Sequence, residues 1–414
     1  MQKSPGKAPK SFLRRNRRKG GFGALQEQEV NTVLFSTSEI DVLRLLRWCR
    51  YLPRKELTSV FPEETIQTLS FFRFISLYQK HDAYVLTRAG DRFLDEHFEN
   101  LPPLVRPSYR EDDFIRRARA ARFALTAYWA GLTVFHTELS SLDHNAACYL
   151  TAQARTKGAN PWGSTRVFAI LRLGNTVCGV YYVGPGIGKL SVFDEMNAFM
   201  NHTGSLKGVS RALIFTGESS EAIYECLGAA DRDSEAKLVS YGDAFHRLDL
   251  PIYLIPHDQV GAWQLHIMTR TDYREQMAKL ALSDYFEMPP AEHPEWDAMY
   301  KGTPLIMAAD MDVKRLDAAV KSAAKDKSGP AVLVALKGQE KVLSRRYKRR
   351  GLARSVNTFR SDKEEVLRAL ALSSPSDRQF ETAKGEVIHA AFNQRKGKAE
   401  NKAGQSVGKL DLPE

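Results

Sequence analysis

Long apolar runs and closely spaced cysteines are both missing from this chain of 414 residues. No run approaches the roughly 18 uninterrupted apolar residues that a membrane-spanning helix requires, and the amino-terminal segment lacks the apolar stretch of a secretory signal. The four cysteines are scattered, with no histidine at ligand spacing, so neither a disulfide framework nor a zinc site is predicted. We therefore expect an intracellular, cytoplasmic protein that is not bound to a membrane.

Signatures of common enzyme classes are missing too. No GxSxG element and no cysteine–histidine arrangement indicates nucleophilic hydrolysis. The stretch from Gly184 to Ser191 looks like a phosphate loop, but Val183 and Leu190 stand where a Walker loop needs glycine and a hydroxyl residue. We therefore predict no nucleotide hydrolysis, no catalytic residue, no metal and no cofactor.

A divergent metal-dependent nuclease or relaxase stays open as an alternative. A strand, a turn at Gly174 and Asn175, and a second strand follow the order of the restriction-endonuclease fold. These strands, RVFAIL and VCGVYYV, lack the acids and the lysine that would hold a metal and activate water. Carboxylates would have to come from elsewhere: Glu138, Asp194, Glu195, Asp310 or Asp312.

Positive charge is in excess and lies near the two ends of the chain. Sixty Lys and Arg against forty-nine Asp and Glu give a formal charge of +11. Residues 3–19 hold eight basic residues and residues 341–354 hold seven, with no acid in either run. Such clusters favour a polyanion, and binding through them weakens steeply with salt. The predicted phosphate contacts are Arg14, Arg15, Arg17, Arg18, Arg345, Arg346, Lys348, Arg349 and Arg350.

Residues 36–98 carry an ordered series of helix and hairpin signals. Ser36 or Ser38 caps a first helix that ends before Pro53, a short second helix covers Arg54 to Phe61, and a third follows Pro62. The third helix has an apolar side and a polar side. The apolar side is Ile66, Leu69, Phe72 and Ile75, and the polar side is Gln67, Ser70 and Arg73.

A change to strand periodicity follows the third helix. Leu77–Tyr78 and Tyr84–Leu86 flank a polar turn, and LTRAG, residues 86–90, places a capping Thr before a further helix. This order predicts a winged helix with its wing at the turn. Expected contacts to duplex DNA are Gln67, Ser70, Arg73, Lys80 and Arg88. Two glutamates open the third helix, so a protein partner on this face is a second alternative.

The rest of the chain predicts an α/β sheet domain, in a degenerate form of the restriction-endonuclease order. We expect a basic arm at 1–33, the winged helix at 34–100, a linker at 101–112, the α/β domain at 113–340, a basic segment at 341–383 and a disordered tail at 384–414. A long helix is expected over Phe114 to Phe135. Expected strands are Arg166–Leu171, Val177–Val183, Ala212–Thr216 and Pro251–Ile255, with helices at Asp194–His202 and Ser219–Leu227.

A further crossover unit is expected near residue 300. Pro304–Ala309 and Pro330–Leu336 are predicted to be strands, with a helix over Val313–Ala324 between them, and we expect them to extend the same sheet.

The LTRAG segment and this order of elements resemble the replication-relaxation family of plasmids and conjugative elements, relatives of MobC-type relaxases. The resemblance covers residues 36 to 260, and it implies a DNA-binding protein that acts at the origin of a mobile element. Our first hypothesis is a non-catalytic protein that binds double-stranded DNA through the winged helix and the basic arms. The α/β domain would serve as a platform for a homodimer or for other proteins of the element. The nuclease and a protein-interaction scaffold that never touches DNA are the alternatives.

Overall fold

The computed structural model describes residues 32–104, 110–142, 146–156, 162, 165–184, 192–228, 248–326, 329–372 and 388–391. Of these, residues 36–372 belong to one compact unit, and residues 32–35 with 388–391 belong to another. The described part of the second unit is a strand pair, β1 (Thr32–Phe35) and the last strand of the chain, β14 (Ile388–Ala391), in antiparallel register. Strand β14 lies within the segment 384–414, where the sequence predicts a disordered tail.

Three helices and a small sheet open the larger unit. Helix α1 (Thr37–Cys49) begins at Ser36, whose hydroxyl accepts the Glu39 N–H while the Glu39 carboxylate accepts the Ser36 N–H. The elements that follow are β2 (Leu52–Pro53), α2 (Arg54–Val60), α3 (Glu63–Phe71), β3 (Ile75–Tyr78), β4 (Ala83–Leu86) and α4 (Arg88–His97). The strands pair antiparallel in the order β2-β4-β3.

Helix α3 is shorter than the apolar pattern predicts. It ends at Phe71, and Arg73 adopts a left-handed conformation with φ of 57°. The Phe74 N–H then donates to the Leu69 carbonyl at 2.9 Å and closes the helix end. Ile75, predicted on the apolar side of this helix, therefore belongs to β3 and is buried there.

A five-stranded sheet forms the middle of the chain. It follows the long helix α5 (Glu111–Trp129), which starts within the predicted linker and ends six residues before Phe135. The sheet consists of β5 (Ala146–Leu150), β6 (Ala169–Leu173), β7 (Thr176–Tyr182), β8 (Ser210–Gly217) and β9 (Ile252–Pro256), in that spatial order. Strands β5, β6 and β7 are antiparallel neighbours, while β7, β8 and β9 run parallel. The predicted hairpin at Gly174 is confirmed, whereas strand β5 was not predicted.

The helices of this region connect or follow the strands. They are α6 (Ala152–Thr156), α7 (Val192–His202), α8 (Ser220–Gly228), α9 (Gln259–Met268) and α10 (Tyr273–Leu282). Because β7, β8 and β9 are parallel, their carboxyl ends share one edge of the sheet. In the described part of the chain, no helix is both long and apolar enough to cross a membrane.

The predicted crossover unit forms a sheet of its own, and the expectation that it extends the first sheet is wrong. Its strands are β10 (Ala298–Tyr300), β11 (Thr303–Met307), β12 (Ala331–Ala335) and β13 (Val356–Arg360). Its helices are α11 (Val313–Lys325), α12 (Glu340–Arg349) and α13 (Lys363–Ala369). One buried apolar cluster contains Phe215 and Leu254 of the first sheet together with Ile306 and Leu333 of the second. The two sheets therefore share a core, although their strands do not join in one ladder.

Candidate functional site

The outward side of α3 is open to solvent. Ile66 and Leu69 are buried against the rest of the module of residues 37–97, whereas Gln67 and Ser70 lie on the other side of the helix and are exposed. Arg73, just past the helix end, is exposed as well. The helix therefore presents short polar side chains of the kind that hydrogen-bond to base edges, as the sequence predicted.

The LTRAG segment fixes the position of a second arginine beside this helix. The Thr87 hydroxyl donates to the Arg73 carbonyl at 2.6 Å, and its oxygen accepts the Gly90 N–H at 3.2 Å to cap α4. Residues 73 and 87 are therefore adjacent, and Arg88 follows directly. A Cβ at Gly90 would overlap the Phe74 carbonyl oxygen, so the glycine is needed for this close approach.

The turn between β3 and β4 carries the third cation predicted for this surface. Lys80 is exposed, and its Nζ lies 3.4 Å from a carboxylate oxygen of Glu111 at the start of α5. Asp82 completes the turn in a left-handed conformation, and its carbonyl accepts the Arg54 N–H at 2.9 Å. The turn is thus tied to both α2 and α5.

Acidic and aromatic side chains share the same face. Glu63 and Glu64 are exposed in the first turn of α3, and Phe71 in its last turn is 79 % exposed. Acids at a helix amino terminus are favoured by the helix dipole, so the glutamates have a local structural reason. Phe71 has no such reason, because burial would stabilise an aromatic ring by about 2 kcal/mol. The Phe71 ring is therefore available to a partner at this surface.

The predicted basic stripe of the C-terminal segment is only partly on the surface. Arg345, Lys348 and Arg349 are exposed on α12, with Arg345 2.7 Å from Glu225. Arg346 is a correction: it is 4 % exposed, and its guanidinium donates twice to the Asp317 carboxylate, at 2.9 and 2.6 Å. Arg350 donates to the same carboxylate at 2.7 Å.

Helix geometry explains this division. Side chains four positions apart share one face of a helix, so Arg346 and Arg350 turn together toward α11. Three predicted cations of this segment remain accessible to a polyanion. The predicted contacts Arg14, Arg15, Arg17 and Arg18, and residues 185–191 of the glycine-rich stretch, lie outside the described residues.

The described carboxylates among those considered for a nuclease form no metal site. Among the residues that the structure describes, no group of three His, Cys, Asp or Glu side chains could hold a metal ion. Glu195 accepts the Arg166 N–H with both carboxylate oxygens, at 2.8 and 2.9 Å, and Asp312 caps α11 by accepting the Arg315 N–H at 3.2 Å. These are structural uses of a carboxylate.

Asp310 forms a buried ionic network instead of a metal site. It has no solvent exposure, and it accepts from Arg274 at 2.5 Å and from the Tyr273 hydroxyl at 2.5 Å. Burial opposes the ionisation of Asp310, but the Arg274 and Arg315 guanidinium groups outweigh it and hold its pKa below the ordinary value. A carboxylate held this way balances internal cations.

A cavity with both polar and apolar lining lies where the parallel strands of the first sheet end. It has a volume of about 480 Å³. Helix α5 supplies Arg122, Leu125, Thr126 and Trp129; α2 supplies Lys55, Glu56, Ser59 and Val60; and the residues after β8 and β9 supply Glu218, His257, Asp258 and Gln259. Crevices at the carboxyl ends of parallel strands are the usual place for ligands in α/β sheets.

The imidazole of His257 has no hydrogen-bond partner in this cavity wall. Both ring nitrogens are shielded from solvent, and neither has a hydrogen-bond partner among the residues that the structure describes. The ring lies near the rings of Phe123 and Tyr182, with centroids 6.1 and 5.7 Å away. Burial, together with the charges of Arg122 and Arg119, lowers the pKa of His257 to about 3. The imidazole is therefore neutral at neutral pH.

The cations around His257 differ in their partners. Arg122 lies 2.7 Å from Glu56 and 3.8 Å from Glu218, which fixes it in the cavity wall. Arg119, one turn earlier on α5, lies over the Tyr182 ring at 4.2 Å. In the sequence, His257 has no spaced catalytic or metal partner, so no motif points to it. Its position just past the end of the predicted strand Pro251–Ile255 is the signal that could have singled it out.

Comparisons with known proteins give no relative: no family model, no curated protein and no solved structure matches this chain.

Proposed function

We propose that this protein binds duplex DNA through the module of residues 37–97, with α3 as the helix that enters the major groove. The order α1-β2-α2-α3-β3-β4 and the strand order β2-β4-β3 support a winged helix with its wing at residues 79–82. The observation that carries the proposal is the open polar side of α3, with Gln67 and Ser70 facing outward and Arg73 at its end.

Charge around this side supports the same proposal. Arg88 is adjacent to Arg73 through the Thr87 hydrogen bond, and Lys80 extends from the wing. Arginine and lysine make most protein contacts to phosphates and to guanine edges. Exposed cations on α12 add a second region for phosphate contact, which contributes affinity and no sequence preference. We extend the proposal to a role at the origin of a mobile element, because the LTRAG segment resembles the replication-relaxation family.

The test compares two triple variants with equal charge loss. A preferred duplex is first selected from a random library with the wild-type protein. Replacing Arg73, Lys80 and Arg88 by Ala should weaken binding to that duplex far more than to random DNA, because a base contact discriminates by about 1–3 kcal/mol. The control replaces three exposed cations far along the chain, Lys321, Lys325 and Arg368. Equal losses on both duplexes would show that this module does not select sequence.

Phe71 favours a second candidate, a protein partner on the same face. A largely exposed aromatic at one end of α3, with Glu63 and Glu64 at the other end, is suited to a complementary apolar and basic surface. Under this alternative, duplex binding at low salt is absent, and F71A abolishes partner capture. If the wild-type protein binds duplex DNA and F71A lowers that binding, the face contacts DNA instead.

A further inference from the structure

Strand β13 is an edge of the second sheet, and no strand or bridge lies on its outer side in the described part of the chain. The other three edges of the two larger sheets are each joined by an isolated bridge: Ala147 of β5 to Thr133, Tyr253 of β9 to Asp312, and Met299 of β10 to Glu287. An open edge offers a row of free N–H and C=O groups, which proteins usually cover or interrupt with proline. The sequence of β13, VNTFR, has no proline. This edge is therefore available to another strand.

The backbone of β13 shows which of its residues direct their polar groups outward. Directly after the strand, the Ser361 N–H donates to the Ala335 carbonyl of β12 at 2.9 Å, so Ser361 bonds inward. Successive residues of a strand bond to alternate sides, so Val356, Thr358 and Arg360 direct their N–H and C=O groups outward. Two antiparallel copies of β13 can therefore pair about Thr358, because each Thr358 then donates its N–H to the Thr358 carbonyl of the other copy.

The same register covers an exposed aromatic ring. Phe359 is 59 % exposed and lies with Asn357 along a groove of about 700 Å³ on one side of the sheet. Other exposed apolar side chains line this groove: Leu280, Tyr285 and Tyr300. Pairing about Thr358 sets Phe359 opposite Asn357 of the second copy, and the two Phe359 rings become diagonal neighbours within reach of each other. Association would thus remove both rings from water.

Charge at the two ends of β13 favours antiparallel pairing. Arg354, just before the strand, is exposed. After the strand, α13 begins with three exposed acids, Asp362, Glu364 and Glu365. Antiparallel copies bring Arg354 of each chain to the acidic turn of the other, whereas parallel copies would place like charges side by side.

We propose that two copies of this chain associate through β13, in antiparallel register about Thr358, and join their two four-stranded sheets into one. An interface built on one strand edge is small, so we expect a reversible equilibrium between monomer and dimer. A two-fold dimer carries two α3 helices, the arrangement that reads palindromic duplexes. That consequence rests on the proposed function, whereas dimerisation itself does not.

Sedimentation equilibrium of the full chain without DNA tests the proposal. We expect a dimer that dissociates on dilution. T358P should raise the dissociation constant by about tenfold or more, because it removes the outward N–H of each copy and no bond to β12.

Side-chain variants with matched controls separate this edge from the rest of the surface. F359S and R354E should weaken association, since they remove the covered ring and set a carboxylate against the acidic turn of the second copy. M200S and K321E change an exposed apolar side chain and an exposed cation on other helices, and they should leave association unchanged.

A cysteine at the two-fold axis gives a second measurement. In the proposed pair the Cα atoms of the two Thr358 residues are about 5.5 Å apart, which suits a disulfide. T358C should therefore form a covalent dimer under mild oxidation, seen on a non-reducing gel. The wild-type protein and K321C are the controls, and we expect neither to be cross-linked.

A monomer at concentrations up to about 0.1 mM overturns the proposal. Association that T358P, F359S and R354E leave unchanged overturns it too, as does a dimer in which T358C is not cross-linked, because each shows that another surface joins the copies. Failure of the DNA-binding proposal is distinguishable from these outcomes. A dimer without duplex affinity retains this interface, whereas a monomer that binds duplex DNA retains only the DNA-binding function.

Discussion

Replacing His257 by Gln should change how the stability of this protein depends on pH. In the folded protein, burial and then the charges of Arg122 and Arg119 lower the pKa of His257 to about 3, while the unfolded chain has an ordinary imidazole pKa of 6.5. Between these two pKa values, the His257 imidazole is protonated in the unfolded state and neutral in the folded state. The stability of the wild-type protein therefore falls as the pH falls through this window, and the contribution is fully regained above the unfolded pKa.

The magnitude follows from the difference between the two pKa values. One pKa unit corresponds to about 1.4 kcal/mol. Lowering the pH through the whole range between the two pKa values would therefore reduce the free energy of unfolding by about 5 kcal/mol. At about pH 5 the unfolded imidazole is almost fully protonated, and the penalty has reached about 2 kcal/mol relative to pH 8. The glutamine side chain in H257Q cannot titrate, so this part of the pH dependence disappears in the variant.

The assay is urea unfolding of wild type, H257Q and H257F, followed by tryptophan fluorescence at about pH 5 and pH 8. The titratable neighbours Asp258 and Tyr182 are retained in all three proteins. We expect the difference in unfolding free energy between wild type and each variant to shift by about 2 kcal/mol, in favour of the variants, at the lower pH. If H257Q and H257F show the same pH dependence, the effect comes from loss of the titrating imidazole and not from a change in side-chain volume. Parallel pH profiles would show that the folded imidazole is readily protonated, and would refute the argument.

Three further predictions concern the predicted DNA contacts and the elements that support them. Deletion of residues 1–20 should lower the slope of log affinity against log salt, by about 0.9 for each phosphate that the arm neutralises, while sequence preference stays; an unchanged slope counts against the arm. D317A should destabilise the protein by about 3–5 kcal/mol in an unfolding titration, because Arg346 then remains buried without its partner. R346M should leave the salt dependence of DNA binding unchanged in a binding titration, because Arg346 is not on the surface. Gly90→Ala should destabilise the module by more than about 1 kcal/mol, since the new Cβ would overlap the Phe74 carbonyl oxygen; a thermal melt equal to that of wild type would contradict this close approach.

Local signals predicted the first module well. The capping hydroxyls of Ser36 and Thr87 are used as expected, and Pro62 precedes α3, because caps and prolines act over three or four residues of sequence. The exception is the end of α3. The apolar spacing continues to Ile75, but the left-handed turn at Arg73 ends the helix first.

Sequence alone thus predicted the helices of the first module, the strands β6 to β9, β11 and β12, and the polar side of α3, since periodicity and capping are properties of neighbouring residues. The tertiary structure decided which charges are available. Arg346 lies in a basic run that looks exposed, and only its packing on Asp317, 29 positions away, removes it from the surface. His257 lacks any motif, and its importance arises where the ends of β8 and β9 meet α5 and α2. Burial and pairing depend on residues that are distant along the chain, so no local pattern encodes them.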